Sequence, residues 1–199
     1  TRLFPAFARH RATAQIAANA QYHTGEFSRA KDSTPASVDS EIEAIMRMLV
    51  PLGYVLRSGA ARGFDSMAER WAARLGGETE IFLPWKGFGD HPSRHHKIPP
   101  IAFEIAREHM SQYHWFGMSP GAQACHARDV QQVLGQHCGP PSIPTSLLFC
   151  WTPGGKIVGG TATAIKVATA HGIPVFNLYN PTPLFGSTVI EEIRALVSP

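Results

Sequence analysis

Residues 146–172 read SLLFCWTPGGKIVGGTATAIKVATAHG. The stretch opens on a continuous apolar run, the signature of a strand buried on both faces. It passes through two Gly-Gly pairs and continues as a helix that stops at Gly172. Strand, glycine loop and helix in that order form the repeating unit of a parallel α/β sheet. Glycine loses more conformational freedom on folding than any other residue, so four of them within residues 154–160 need a cause. Either the chain turns tightly there, or a ligand approaches the backbone more closely than a Cβ would allow.

The same unit recurs upstream. YVLRSG (54–59) reads as a short buried strand running into a second glycine loop. The helix FDSMAERWAARLGG follows, with Phe64, Met67, Ala68, Trp71 and Leu75 on one face and Gly76-Gly77 as its stop. ETEIFLPW (78–85) is the next strand, closed by Pro84. Ahead of both, Val38, Ile42, Ile45, Met46 and Leu49 recur at helical spacing, with Pro35 and Ser37 before them and Gly53 after. Further helices are expected over IAFEIAREHM, GAQACHARDVQQVLG and TVIEEIRALV, and a strand over IPVFNL. The Pro-, Gly- and His-rich residues 84–100 form a loop of functional length. The alternation predicts a Rossmann-like, doubly wound α/β fold, with a mainly parallel sheet and helices on both faces. Residues 38–199 make one such domain, and residues 1–37 an N-terminal extension in which a first strand and turn are not clearly marked. Within it, FARHRATAQIAANA (7–20) reads as an extra helix, and QYHTGEFSRAKDSTP (21–35) has no clear strand pattern.

Composition narrows the partners. The 199 residues carry 18 basic against 15 acidic side chains, a net +3, with ten histidines. That suits a phosphorylated ligand but falls short of a dedicated nucleic-acid binder. Cys125, Cys138 and Cys150 are odd in number and lack C-x-x-C spacing, so neither a disulfide framework nor a zinc knuckle is expected. A reducing, cytoplasmic setting follows. No apolar run is long enough to span a bilayer, and no signal-peptide core is present. His91, His95 and His96 beside Asp90 lack the spacing of helical metal ligands, so no metal and no cofactor is expected.

In parallel α/β sheets, ligands gather at the carboxyl ends of the strands. There the first loop supplies Arg57, Ser58, Gly59, Arg62, Gly63 and Asp65, and the second supplies Gly154, Gly155, Gly159, Gly160, Thr161 and Thr163. Backbone N–H groups at a helix start, with the positive end of the helix dipole, attract a phosphate. Arginines can grip it bidentately. Asp65 either caps its helix or accepts from a ribose hydroxyl or base amine. Trp85 and Trp151, just past strand ends, are placed to stack a base. Neither loop matches the P-loop pattern, and neither is a clean G-x-G-x-x-G.

LRSGAARGFDSMAERWA and CWTPGGKIVGGTATAIKVATAHGIPVFNL resemble the SLOG superfamily of Rossmann-like domains, which includes DprA, the LOG phosphoribohydrolases and YspA-related proteins. The stand-alone DprA-like proteins of bacteriophages are the nearest likeness, and they share an LPW-x-GF segment, here Leu83 to Phe88. The resemblance implies a nucleotide-type pocket between Ser58, Gly59, Arg62, Gly63 and Asp65 on one side and Gly154, Gly155, Gly159, Gly160 and Thr161 on the other. The segment His126 to Val130 would bring Arg128 and Asp129 near it. The LOG enzymes place a catalytic glutamate three residues after the threonine of G-T, where this chain has Ala164.

Three functions compete at this point. One is a binder of a small phosphorylated nucleotide or nucleotide-derived signal such as ADP-ribose, in the manner of a phage sensor or sponge. The second is an N-glycosidase or ribosyl transferase, with Asp65 the best-placed carboxylate. The third is DprA-like binding of single-stranded DNA through Arg57, Arg62, Lys86 and Arg94. Homo-oligomerisation is common in the superfamily and is expected here.

Overall fold

In a computed structural model of the chain, residues 13–17, 34–157, 159–179 and 188–198 are described. Twelve elements follow one another: β1 (Thr13–Ala17), α1 (Ser37–Leu49), β2 (Val55–Ser58), α2 (Phe64–Arg74), β3 (Thr79–Ile81), α3 (Pro100–Glu108), α4 (Gln112–Phe116), α5 (Pro120–Leu134), β4 (Leu147–Cys150), α6 (Gly159–Ala170), β5 (Val175–Asn177) and α7 (Val189–Val197). The sheet runs β3-β2-β1-β4-β5, and each neighbouring pair is parallel.

The predicted apolar periodicities form the core. Val38, Ile42, Ile45, Met46 and Leu49 of α1 are all buried. On β4 the period-2 alternation of a strand sorts side chains between two layers. Leu147 and Phe149 face the layer of α1, α2 and α7, whereas Leu148 and Cys150 face the layer of α3, α5 and α6. Helix starts follow capping chemistry. Ser119 accepts from the Ala122 N–H ahead of α5, and Thr188 and Glu191 cap α7 reciprocally. Gly53, at φ 81°, makes the left-handed turn that returns the chain to β2. The five-residue α4 was not expected from sequence. Among the described residues, no helix is long and apolar enough to cross a membrane.

The N-terminal segment differs from expectation. Thr13–Ala17, read as part of an extra helix, is a strand. It pairs with β2 on one side and β4 on the other, so it occupies the centre of the sheet. Its alanine-rich sequence favours a helix by local propensity, but two flanking strands satisfying its backbone override that preference. The segment expected to be an extension therefore supplies the strand around which the sheet is built. Residues 21–33 of the irregular stretch expected after it lie outside the described residues.

This strand order creates the crevice. The chain winds outward from β1 through β2 to β3, then returns to the opposite side of β1 with β4. The topological switch point, where ligands of doubly wound folds sit, therefore falls between β1 and β4, with the loop leaving β4 beside it and the loop leaving β2 on the far side of β1.

Candidate functional site

The loop after β2 is already occupied by the protein's own anion. Asp65, at the start of α2, turns its carboxylate back so that Oδ2 accepts the Gly59 N–H at 3.0 Å and the Ala61 N–H at 3.2 Å. Converging backbone N–H groups form an anion-binding concavity, and here an internal carboxylate fills it. Its bonds run to the loop before α2, so Asp65 does not cap its own helix as expected but ties down the loop that precedes it.

Arg128 of α5 locks this loop from below. Its Nη1 donates to the Gly59 carbonyl, its Nε lies 3.1 Å from Asp129 Oδ1, and its guanidinium carbon sits 5.9 Å from the Phe88 ring centroid. The side chain is only 2% exposed. A Cβ at position 59 would overlap the guanidinium, so Gly59 is needed for the close approach of an arginine of the same chain. Asp65 and Asp129 are fully buried, and burial pushes each carboxyl up to about 7 against the opposing pull of Arg128. Glu69 raises Asp65 further. Oδ1 of Asp65 and Oδ2 of Asp129 have no hydrogen-bond partner among the described residues. Sealed in this way, Asp65 spends its carboxylate on the backbone of its own loop.

One turn further along α2, Glu69 accepts from the Ser58 hydroxyl through Oε1. Its Oε2 faces His91 Nε2 at 3.7 Å. His91 Nδ1 accepts the Ser93 N–H at 3.1 Å, so a neutral His91 carries its proton on Nε2, directed toward Glu69. The pair ties α2 to the His-rich loop. Burial raises the Glu69 carboxyl from its ordinary value, with the Ser58 hydrogen bond opposing. No group of three or more potential metal ligands gathers among the described residues.

The other first-loop candidates separate. Arg57 points away from the loop: its Nε pairs with Glu80 Oε2 at 2.7 Å and its Nη1 donates to the Ile143 carbonyl at 2.9 Å. Ser58 is engaged by Glu69. Gly63 starts α2 at φ 91°, and its N–H donates to Ser66 Oγ. Arg62 is exposed, as are Lys86 and Arg94. Trp85 is 38% exposed and stands edge-on to Phe88 at 5.1 Å.

The loop after β4 is of a different kind. Gly154 and Gly155 both adopt φ 66° and Gly159 adopts φ 69°, conformations that L side chains enter only with strain. Gly154, Gly155 and Gly159 are exposed, whereas Gly160, Thr161 and Thr163 are buried in the first turns of α6. Thr163 Oγ1 lies 2.9 Å from His126 Nδ1. Burial, reinforced by Arg128, pushes His126 down to about 4, so it is neutral at neutral pH. Trp151 is only 5% exposed and packs in the core, which takes it out of contention as a stacking surface.

The structure therefore brings Gly59, Asp65 and Arg128 together as an internal lock. It sets the β4–α6 glycines and threonines at the end of β4, across β1 from that lock, and turns Arg57 and Trp151 away. Sequence reading missed Glu69–His91, His126–Thr163 and the Asn177 and Tyr179 contacts that follow β5. Only the i, i+4 spacing of Asp65 and Glu69 gave a usable signal, since it puts both on one helix face.

No protein-family model and no curated protein sequence matches this chain. The chain is similar to two solved structures. One is DNA processing protein A from Helicobacter pylori, described for its single-stranded DNA binding mode. It superposes with a TM-score of 0.50 at 17% identity, covering 94% of this chain and 75% of that one. The other is DprA from Streptococcus pneumoniae, with a TM-score of 0.49 at 15% identity, covering 94% of this chain and 57% of that one. The chain thus spans little more than half of the pneumococcal protein.

Proposed function

We propose that this protein binds a small phosphorylated, nucleotide-type ligand whose phosphate sits on the β4–α6 loop at the start of α6. The observation that carries this reading is the contrast between the two glycine loops. In the β2–α2 loop the N–H groups are spent on Asp65. In the β4–α6 loop left-handed, exposed glycines lead directly into a twelve-residue helix. An oriented helix start with glycine before it favours an anion. The exposed Lys156 lies in the same loop.

Gly154, Gly155, Gly159, Gly160 and Thr161 are the contacts in this reading, with Thr163 behind them. Arg62 lies on the facing loop, and Gly59, Gly63, Asp65 and Arg128 act indirectly by holding that loop in place. A binder rather than a hydrolase fits Ala164 in place of the LOG glutamate and the sealed Asp65. A sensor or sponge of a nucleotide signal such as ADP-ribose is the corresponding role.

A second reading is supported by the fold shared with the Helicobacter protein and by Arg62, Lys86, Arg94 and Trp85, all exposed on the loops that follow β2 and β3. In that reading, single-stranded DNA tracks the same edge, with its phosphates on the cations.

Mass spectrometry of small molecules released after incubation with nucleotides and ADP-ribose derivatives tests the first reading. It expects one intact phosphorylated compound at a stoichiometric level. Recovery of free base and ribose phosphate would replace binding with cleavage. No retained compound, together with salt-sensitive oligonucleotide binding, would favour the second reading.

A further inference from the structure

A nucleotide has a flat face as well as a phosphate, and the β4–α6 loop has an aromatic neighbour. Tyr179 follows β5, the strand beside β4, and its side chain is 43% exposed. A Cβ on Gly155 would lie 3.5 Å from Tyr179 Cδ1, so the ring is within ordinary van der Waals reach of the glycine loop. On its other side it meets buried Trp151 edge-on, with ring centroids 6.1 Å apart and planes at 61°.

The position is held by a polar clasp. Asn177, the last residue of β5, accepts the Tyr179 N–H at 3.1 Å and the Thr152 N–H at 3.3 Å on Oδ1. Its Nδ2 donates to Thr152 Oγ1 at 2.6 Å. One side chain therefore fixes the start of the β4–α6 loop and the backbone of Tyr179 relative to each other. Neighbouring strands lie about 4.8 Å apart, and Tyr179 follows the strand beside β4.

We infer that Tyr179 is the base-stacking residue of this site, selecting ligands that join a phosphate to a planar heteroaromatic ring over sugar phosphates. The inference rests on the phosphate reading of the β4–α6 loop. It also corrects the sequence-based choice of Trp151, which is the buried support of the platform.

The test uses calorimetry and proton NMR with two probes, adenosine 5′-monophosphate and ribose 5-phosphate, on the wild type, Tyr179→Phe and Tyr179→Leu. The expected result is tighter binding of the adenine nucleotide and upfield shifts of its ring protons, both kept in Tyr179→Phe. Tyr179→Leu then loses about tenfold for the nucleotide and nothing for ribose 5-phosphate. Equal affinity for the two probes, unchanged in Tyr179→Leu, would overturn stacking and leave the phosphate site standing. Equal losses for both probes in Tyr179→Leu would make the ring a support of the loop and would also overturn it. If neither probe binds the wild type, the phosphate reading fails and the stacking role falls with it.

Discussion

Gly59→Ala isolates the lock between Arg128 and the β2–α2 loop. Gly59 is not among the left-handed glycines, so alanine meets no backbone penalty there. The cost is steric, because the new methyl would occupy the Arg128 guanidinium position. Arg128 must then leave a site where it donates to the Gly59 carbonyl and lies 3.1 Å from Asp129. Leaving buried charges without their partner costs about 3–5 kcal/mol. Proton uptake by Asp65 and Asp129, already raised to about 7, relieves part of this. A loss of roughly 3 kcal/mol is expected, a large share of the about 5–15 kcal/mol that holds a typical domain together. Urea unfolding monitored by far-UV circular dichroism measures it. In an Arg128→Ala background the same glycine substitution meets no guanidinium and should cost less than about 1 kcal/mol. Two additive substitutions, or a Gly59→Ala protein as stable as the wild type, would refute the steric argument.

Stability should fall as pH rises from about 4 to about 7. Asp65 and Asp129 have folded-state values raised to about 7, so their contribution is complete below their unfolded values and is lost as pH climbs through that window. His126, lowered to about 4, opposes them up to its unfolded value near 6.5, one group against two. Urea midpoints across this range should show a shallower fall in Asp129→Asn than in the wild type, and a stability that rises toward pH 7 in the wild type would contradict the sign. Arg57→Ala should lower thermal stability through loss of the Glu80 pair and the Ile143 contact while leaving nucleotide affinity unchanged, as calorimetry would show. Asn177→Ala should free the clasp between Thr152 and Tyr179 and weaken nucleotide binding several-fold at nearly wild-type stability. Retained affinity would mean that the loop orders itself.

The parts of this molecule that were legible in sequence are those written by periodicity and punctuation. The apolar run of β4 and the i, i+3, i+4 pattern of α1 report burial directly, and burial is what the fold delivers. β1 was illegible for a physical reason: TAQIA has little strand character of its own and becomes a strand because β2 and β4 satisfy it from both sides. At the candidate site, the composition of both glycine loops pointed to the carboxyl ends of β2 and β4. It could not show that Gly59 accommodates Arg128, a residue 69 positions away. Nor could it show that Arg57 spends its charge on a neighbouring strand. Two loops of similar composition thus do different work, one closed on its own carboxylate and one presenting glycine backbone.

That difference is the central claim, and backbone amide shifts test it most directly. In a 15N-labelled protein titrated with adenosine 5′-monophosphate and then with unphosphorylated adenosine, the amides of Gly159, Gly160 and Thr161 should move with the nucleotide and much less with the nucleoside. Gly59 and Ala61, held by Asp65, should stay in place. Large phosphate-dependent shifts at Gly59 and Ala61, with the α6 start unmoved, would contradict the account and return the anion site to the first loop.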